Sequence, residues 1–211
     1  MSYTVKEAFL TLQGEGANSG RVAVFCRFAG CNLWSGREVD RGRALCRFCD
    51  TDFVGTDGIN GGRFATPQAL AGHAEHLWGS SRRQDRLIVC TGGEPLLQLD
   101  TQLVLELKEH GFQVAVETNG TLPAMPEIDW VCVSPKAQTP IVQTKGSELK
   151  LIYPQEGIQP EMCEPWDFEH FFLQPMDGPN REANTARAVE YCLSHPRWRL
   201  SLQTHKLIGI P

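Results

Sequence analysis

The chain has 211 residues, 41% of them hydrophobic, and a formal net charge of −5. That composition supplies one ordinary buried core, so a single domain over 1–211 is the expected organisation. It carries no run of Lys/Arg and no segment near the roughly 20 apolar residues that span a bilayer, so neither nucleic acid nor membrane is the expected partner.

In chain order, "MSYTVKEAFL" lacks the basic start and apolar stretch of a secretion signal, which implies a cytoplasmic address. "YTVKEAFLTLQ" (3–13) alternates loosely and reads as an edge strand. "RVAVFCRF" (21–28) is an apolar, β-branched run and reads as a short buried strand. A polar loop follows, enlarged over about 31–63. "TPQALAGHAEHLW" (66–78) opens with a Thr cap and a Pro and predicts a helix. "RLIVCT" (86–91) is a strand; "DTQLVLELKEHG" (100–111), with its Asp cap and terminal Gly, is a helix. "QVAVET" (113–118), "WVCVSP" (130–135), "ELKLIY" (148–153), "HFFLQP" (170–175) and "RLSLQT" (199–204) complete the strands, and "NREANTARAVEYCLSH" (180–195) is the third helix. Early strands alternating with helices predict βαβ units and a parallel sheet. "NGTLPAMPEID" and "KAQTPIVQTKGS" are too rich in Pro and Gly for helices. The expected fold class is therefore α/β, a barrel-like or open sheet with some helices replaced by loops.

Eight cysteines are many for a chain in a reducing compartment, where clusters of them point to metal or catalysis and not to disulfides. Cys26, Cys90, Cys132, Cys163 and Cys192 sit singly, most in apolar runs, and read as small buried hydrophobes. Cys31, Cys46 and Cys49 share the polar, arginine-rich loop "CNLWSGREVDRGRALCRFCDTDF" at C-x14-C-x2-C spacing. Spacing alone leaves zinc with a remote fourth ligand, such as His73 or His76, and an iron–sulfur cluster about even. "LIVCTGGEPLLQ" places Gly92-Gly93-Glu94-Pro95 just after a strand, where glycines let backbone approach a ligand closely. The two motifs together favour an open cluster over a plain turn.

Three cysteines after one strand and "GGEP" after the next resemble the radical S-adenosylmethionine superfamily. Its usual C-x3-C-x2-C spacing is stretched here. "FLTLQGEGANSGRVAVFCRFAGCNLW…CRFCDTDF", "TGGEPLLQ", "VETNGT", "VSPK", "ELKLIY", "FFLQPMDG" and "LSLQTHKLIGIP" are, within that superfamily, similar to the 7-carboxy-7-deazaguanine synthases over nearly the whole chain.

The resemblance implies an abridged, partly open radical-SAM (β/α) barrel and a lyase. Its reaction is a radical ring contraction of 6-carboxy-5,6,7,8-tetrahydropterin to 7-carboxy-7-deazaguanine with loss of ammonia, on the way to queuosine. It further implies a 4Fe-4S cluster on Cys31, Cys46 and Cys49, with the fourth iron open to S-adenosyl-L-methionine (SAM). Gly92, Gly93 and Glu94 would hold the methionine end of that cofactor, Ser134 and Lys136 its carboxylate or ribose, and Gln174 to Asp177 its adenine edge. The pterin would meet Leu12, Gln13, Glu15, Gly16, Thr91 and Glu117. A carboxylate from Glu15 or Glu117 would grip its guanidine-like edge; Arg27, or next His205 or Lys206, would meet its carboxylate, and the terminal carboxylate of Pro211 would close the pocket. Mg2+ is expected on Thr51, assisted by Asp50 or Asp52. The implied partners are a one-electron reductant such as flavodoxin and, as a homodimer, a second copy of the chain. A glycyl-radical activating enzyme and a zinc-stabilised binding protein are the rival readings.

Overall fold

Seven parallel strands carry the architecture of the computed structural model, which describes residues 2–80 and 84–211. The strands are β1 (Tyr3–Leu12), β2 (Val22–Phe28), β3 (Gly62–Phe64), β4 (Leu87–Gly92), β5 (Gln113–Thr118), β6 (Trp130–Val133), β7 (Lys145–Tyr153), β8 (Asp167–Pro175) and β9 (Trp198–Leu200). They form one sheet in the order β3-β1-β2-β4-β5-β6-β7-β8-β9, parallel from β2 onward and not closed on itself. The α/β, partly open barrel expected from the alternation is the fold observed.

β1 departs from expectation. It is antiparallel to β2, and it is not the edge, because β3 pairs with its outer side. The returning loop is stitched to it by Gly58 N–H to Lys6 O (3.1 Å) and Ala8 N–H to Ile59 O (2.8 Å). At Gly61 a side chain would strike Lys6 O at 2.1 Å, so only glycine lets the loop lie this close.

The helices are α1 (Pro67–Trp78), α2 (Thr101–Glu109), α3 (Pro160–Cys163), α4 (Arg181–Ser194) and α5 (Thr204–Ile208). Leu70, Ala71, Ala74 and Trp78 of α1 and Leu103, Val104 and Leu107 of α2 pack over β1, β2, β4 and β5 as one core. A second core forms between β7, β8, β9 and α4 around Leu149, Leu151, Phe171, Ala188 and Trp198. The segments after β5 and β6 hold no helix, as their Pro/Gly content predicted. Among the described residues no helix is long and apolar enough to cross a membrane.

"RLSLQT" is only half a strand. Ser201 N–H still reaches Leu173 O on β8, but Thr204 gives both its N–H (3.0 Å) and its hydroxyl (2.9 Å) to Gly14 O. That anchor pulls the chain off the sheet and starts α5, which lies across the open side near β1.

Thr66 and Asp100 cap α1 and α2 as read from the sequence, accepting from Ala69 and Leu103 N–H. Asp100 also accepts from the Tyr3 hydroxyl at 2.9 Å, tying α2 to β1. Asp100→Ala is expected to lower unfolding stability by about 1–2 kcal/mol, the range for a lost cap. A urea midpoint unchanged by the substitution would contradict that role.

Candidate active site

The C-terminal ends of β2, β4, β5, β6, β7 and β8 open into one cavity of about 460 Å3, the size range of small-molecule sites. Of the residues predicted for the site, all but Gly16 and Glu94 line it.

At one end stand Cys31, Cys46 and Cys49. The loop bearing them packs on its own small core, Trp34, Ala44 and Phe53, with Arg41 stacked 4.1 Å over Trp34. Arg41 also donates to Arg47 O (2.8 Å) and Cys49 O (3.1 Å), which fixes the C-x2-C turn. The neighbouring Cys46 thiol, helped by the backbone at Thr51, lowers the pKa of Cys49, while Cys49 in turn, together with burial, raises that of Cys46. Lys136 stands close enough to favour both thiolates, while desolvation pushes its own ammonium below lysine's usual value. Among the described residues no three His, Cys, Asp or Glu side chains form a ready site for a single metal ion. The three thiols nevertheless face one cavity with a cation beside them. An all-thiolate, soft donor set of this kind fits an iron–sulfur cluster. All eight cysteines are free, and Cys26, Cys90, Cys132 and Cys163 are buried.

The GGEP turn is built against the base of that loop. Gly93 N–H donates to Phe28 O (3.2 Å) and Glu94 N–H to Gly30 O (2.9 Å). A Cβ on Gly93 would sit 1.9 Å from Gly30 O, and one on Gly92, whose φ is +119°, 2.3 Å from Phe28 O. Glu94 is turned away from the cavity and fully buried, with burial raising its pKa. Its carboxylate accepts from the Thr118 hydroxyl (2.8 Å), Asn119 N–H (2.8 Å) and Leu96 N–H (3.0 Å). The side chain therefore braces the ends of β4 and β5 from behind the cavity wall. Asn119 extends the brace to Asn32 (2.9 Å), the neighbour of Cys31.

Along the wall, Lys136 Nζ donates to Ser134 O and Oγ, both at 2.7 Å. Gln174 accepts from the Ser201 hydroxyl at 3.0 Å. Lys206 bridges Asp50 and Asp177, each at 2.7 Å, and Asp52 pairs with Lys6 at 2.9 Å. That leaves Thr51 Oγ1, in the same wall, without a hydrogen-bond partner among the described residues.

The far end holds a charge cluster. Lys150, almost fully buried on β7, lies 2.5 Å from Glu15 and 3.4 Å from Glu117. Gln13 donates to Glu117 (3.0 Å) and Gln203 to Glu15 (3.1 Å). Burial alone would raise the Glu15 pKa, but the Lys150 ammonium outweighs it and the net shift is downward. Gly16 is not in the cavity wall; its N–H donates to Ser201 Oγ, and a side chain there would hit the Glu148 carboxylate at 2.1 Å. Arg27 lines the cavity with its Nε 2.8 Å from Glu7 Oε1. His205 packs on Gly14, where a Cβ would meet its ring at 2.3 Å, and Pro211 O accepts from the Thr11 hydroxyl at 2.8 Å.

Sequence reading missed Lys150, Glu7, Asn32, Thr118 and Asn119. The signal for Lys150 was the alternation in "ELKLIY". Glu148 and Lys150, two apart on a strand, share a face opposite Leu149 and Leu151, and all four are buried.

A loop with three thiols after the first parallel strand, GGEP after the second and polar groups at every later strand end define a radical SAM enzyme. No family model matches the chain. It is 64% identical to the 7-carboxy-7-deazaguanine synthase of Caulobacter vibrioides and 53% identical to that of Nitratidesulfovibrio vulgaris, each over the full length of both chains. A crystal structure of QueE from Escherichia coli superposes with a TM-score of 0.72 at 26% identity, over 96% of this chain and 94% of that one. The chain belongs to the 7-carboxy-7-deazaguanine synthase family.

Proposed function

We propose that this enzyme converts 6-carboxy-5,6,7,8-tetrahydropterin to 7-carboxy-7-deazaguanine and ammonia. The change removes the elements of ammonia with no net oxidation, so no hydride acceptor is consumed. The observation that carries the reading is one cavity with three thiols at one end and the Glu15–Lys150–Glu117 cluster at the other. Cys31, Cys46 and Cys49 would hold a 4Fe-4S cluster, and Ser134, Lys136, Gln174 and Asp177 would border SAM. When bound, that pair supplies radical chemistry by one-electron reduction.

The protein's own work is positioning. Each carboxylate has about four lone-pair sites. Glu15 and Glu117, already fixed by Lys150, Gln203 and Gln13, therefore keep acceptor capacity for the donor edge of the pterin. Arg27, held by Glu7, and His205, packed on Gly14, line the same cavity and would meet the substrate carboxylate. Holding reacting groups this way counts because small displacements are costly in rate.

The free Thr51 hydroxyl supports Mg2+ there, since Asp50 and Asp52 are already paired with lysines. Thr51→Ala is expected to lower turnover by roughly tenfold and to flatten its response to added Mg2+; roughly tenfold is the lower end of the loss typical for a metal-site partner. A Mg2+ titration that keeps its wild-type shape would move the metal elsewhere. One continuous sheet supports a single domain over 1–211. A one-electron donor such as flavodoxin, a homodimeric assembly and a cytoplasmic location complete the proposal.

The deciding experiment is anaerobic turnover of the reconstituted enzyme with the tetrahydropterin, SAM, Mg2+ and dithionite. Formation of 7-carboxy-7-deazaguanine with equimolar ammonia is expected. Cleavage of SAM without that product, in every metal condition, would reject the substrate.

A further inference from the structure

The contact between Glu7 and Arg27 depends on a one-residue irregularity in β1. Tyr3, Val5, Ala8 and Leu10 all pack into the core under α1 and α2. Residues 3, 5, 8 and 10 cannot share one face of a regular strand, whose side chains alternate with period two. The register against β2 shows the reason. Val5 pairs with Phe28 and Glu7 with Arg27, so two steps on β1 oppose one on β2. Lys6 is the extra residue of this bulge, and beyond it the parity of the strand is reversed. In an unbroken strand Glu7 would lie with Val5 on the core face. Here it turns with Phe9 into the cavity, where both line the wall beside Phe25 and Arg27.

Glu7 Oε1 accepts from Arg27 Nε–H at 2.8 Å, with both side chains largely buried. The two stems are wedged in place. A Cβ on Gly58 would lie 2.7 Å from Glu7 Cβ, and one on Gly92 would lie 3.0 Å from Arg27 Cγ. A guanidinium carries five N–H donors in a fixed fork and can take a carboxylate along its Nε side or end-on through its two Nη groups. Glu7 occupies the Nε side. No other acceptor among the described residues takes one of the guanidinium N–H groups, so the end-on pair is left for a ligand.

We propose that Glu7, aimed into the cavity by the bulge, is the positioning residue that sets the preference of this site for a carboxylate, because it holds Arg27 so that both Nη groups face the ligand together. The inference deepens the reading above and rests on it. Two parallel N–H groups match the two oxygens of a carboxylate. A carboxamide of the same shape offers one oxygen and sets its own N–H groups against the second Nη. A long, unrestrained arginine side chain could turn to meet the amide oxygen alone; one held at Nε cannot. The discrimination therefore comes from the restraint as well as from the charge.

The test measures, without oxygen, the affinity of the reconstituted enzyme for 6-carboxytetrahydropterin and for its 6-carboxamide counterpart, with turnover of the acid alongside. Wild type is expected to bind the acid at least about tenfold more tightly, the difference between a charge-assisted and a neutral hydrogen-bonded pair. Glu7→Ala should weaken acid binding by about tenfold and bring the acid-to-amide ratio close to one. KM for the acid should rise with it while kcat changes far less. Glu7→Gln keeps an oxygen acceptor for Nε and should restore most of the ratio. Each ratio is taken within one protein, so a misfolded fraction leaves it unchanged. Glu7→Ala that still separates acid from amide as wild type does overturns the proposal. Glu7→Gln that loses the ratio as fully as alanine does so too, since charge and not orientation would then be at work. Equal binding of acid and amide by wild type would instead reject the placement of the substrate carboxylate at Arg27.

Discussion

Lys150→Met should be the most damaging single change to the charge cluster in the cavity, lowering stability by about 3–5 kcal/mol. Methionine nearly matches the volume of lysine, so the loss is electrostatic. Lys150 is the cation facing Glu15 and Glu117, and the carboxylate of Glu148 is buried nearby on the same strand face. Removing it strands charges that remain out of water. The sign of the pH dependence should also change. In wild type the net shift of Glu15 is downward, so its contribution is present above the unfolded-chain value, about 4.3, and fades as pH falls through the folded value. Burial works against the Lys150 charge, but Glu117 and Glu15 more than compensate and raise its pKa. Its contribution is thus present below about 10.4 and is lost only as pH climbs through the raised folded value. In the variant, burial acts on Glu15 without its counter-charge and pushes the carboxyl up. The folded variant then takes up a proton as the solution is acidified, and it gains stability on going from about pH 8 to about pH 5. Urea midpoints of both proteins at the two pH values check this. Parallel pH profiles would mean that Lys150 is not the counter-charge of Glu15.

Gly93→Ala is expected to abolish assembly at the thiol end. The new methyl would lie 1.9 Å from Gly30 O and 3.0 Å from Cys31 Cβ, and both belong to backbone or short side chains that cannot swing aside. Relief requires parting the GGEP turn from the base of the cysteine loop, at the expense of the bonds Gly93 N–H to Phe28 O and Glu94 N–H to Gly30 O. Iron bound after anaerobic reconstitution should drop from the roughly four per chain of one cubane to well under half of that. Gly72→Ala serves as the control. Gly72 lies in α1 with open space at its Cβ and no positive φ, so alanine there should stabilise by up to about 1 kcal/mol. Full iron retention in Gly93→Ala would show that the two segments need not touch.

The parallel core was legible because β2, β4, β5 and β8 are dense β-branched or aromatic runs flanked by turn residues. The two missing crossover helices were equally plain in the Pro/Gly content of 119–129 and 136–147, although the last three of these residues already belong to β7. α5 was hidden. Its five residues are set by Thr204 reaching Gly14, a contact across 190 positions that no local pattern encodes. Glu94 shows a subtler limit. Its place beside two glycines suggested a ligand, yet a carboxylate two residues before Leu96 also caps the short turn through that N–H, and here the cap and the Thr118 and Asn119 bonds hold it. Lys150 was visible as a charge in a strand but not as a partner, because Glu15 is 135 positions away.

Lys206 clips a residue beside Cys49 to one beyond β8, so a single ammonium spans two segments far apart in the chain. Both pairings are partly exposed, so dissolved ions weaken them together, and the tie between the cysteine loop and the end of β8 slackens as ionic strength rises.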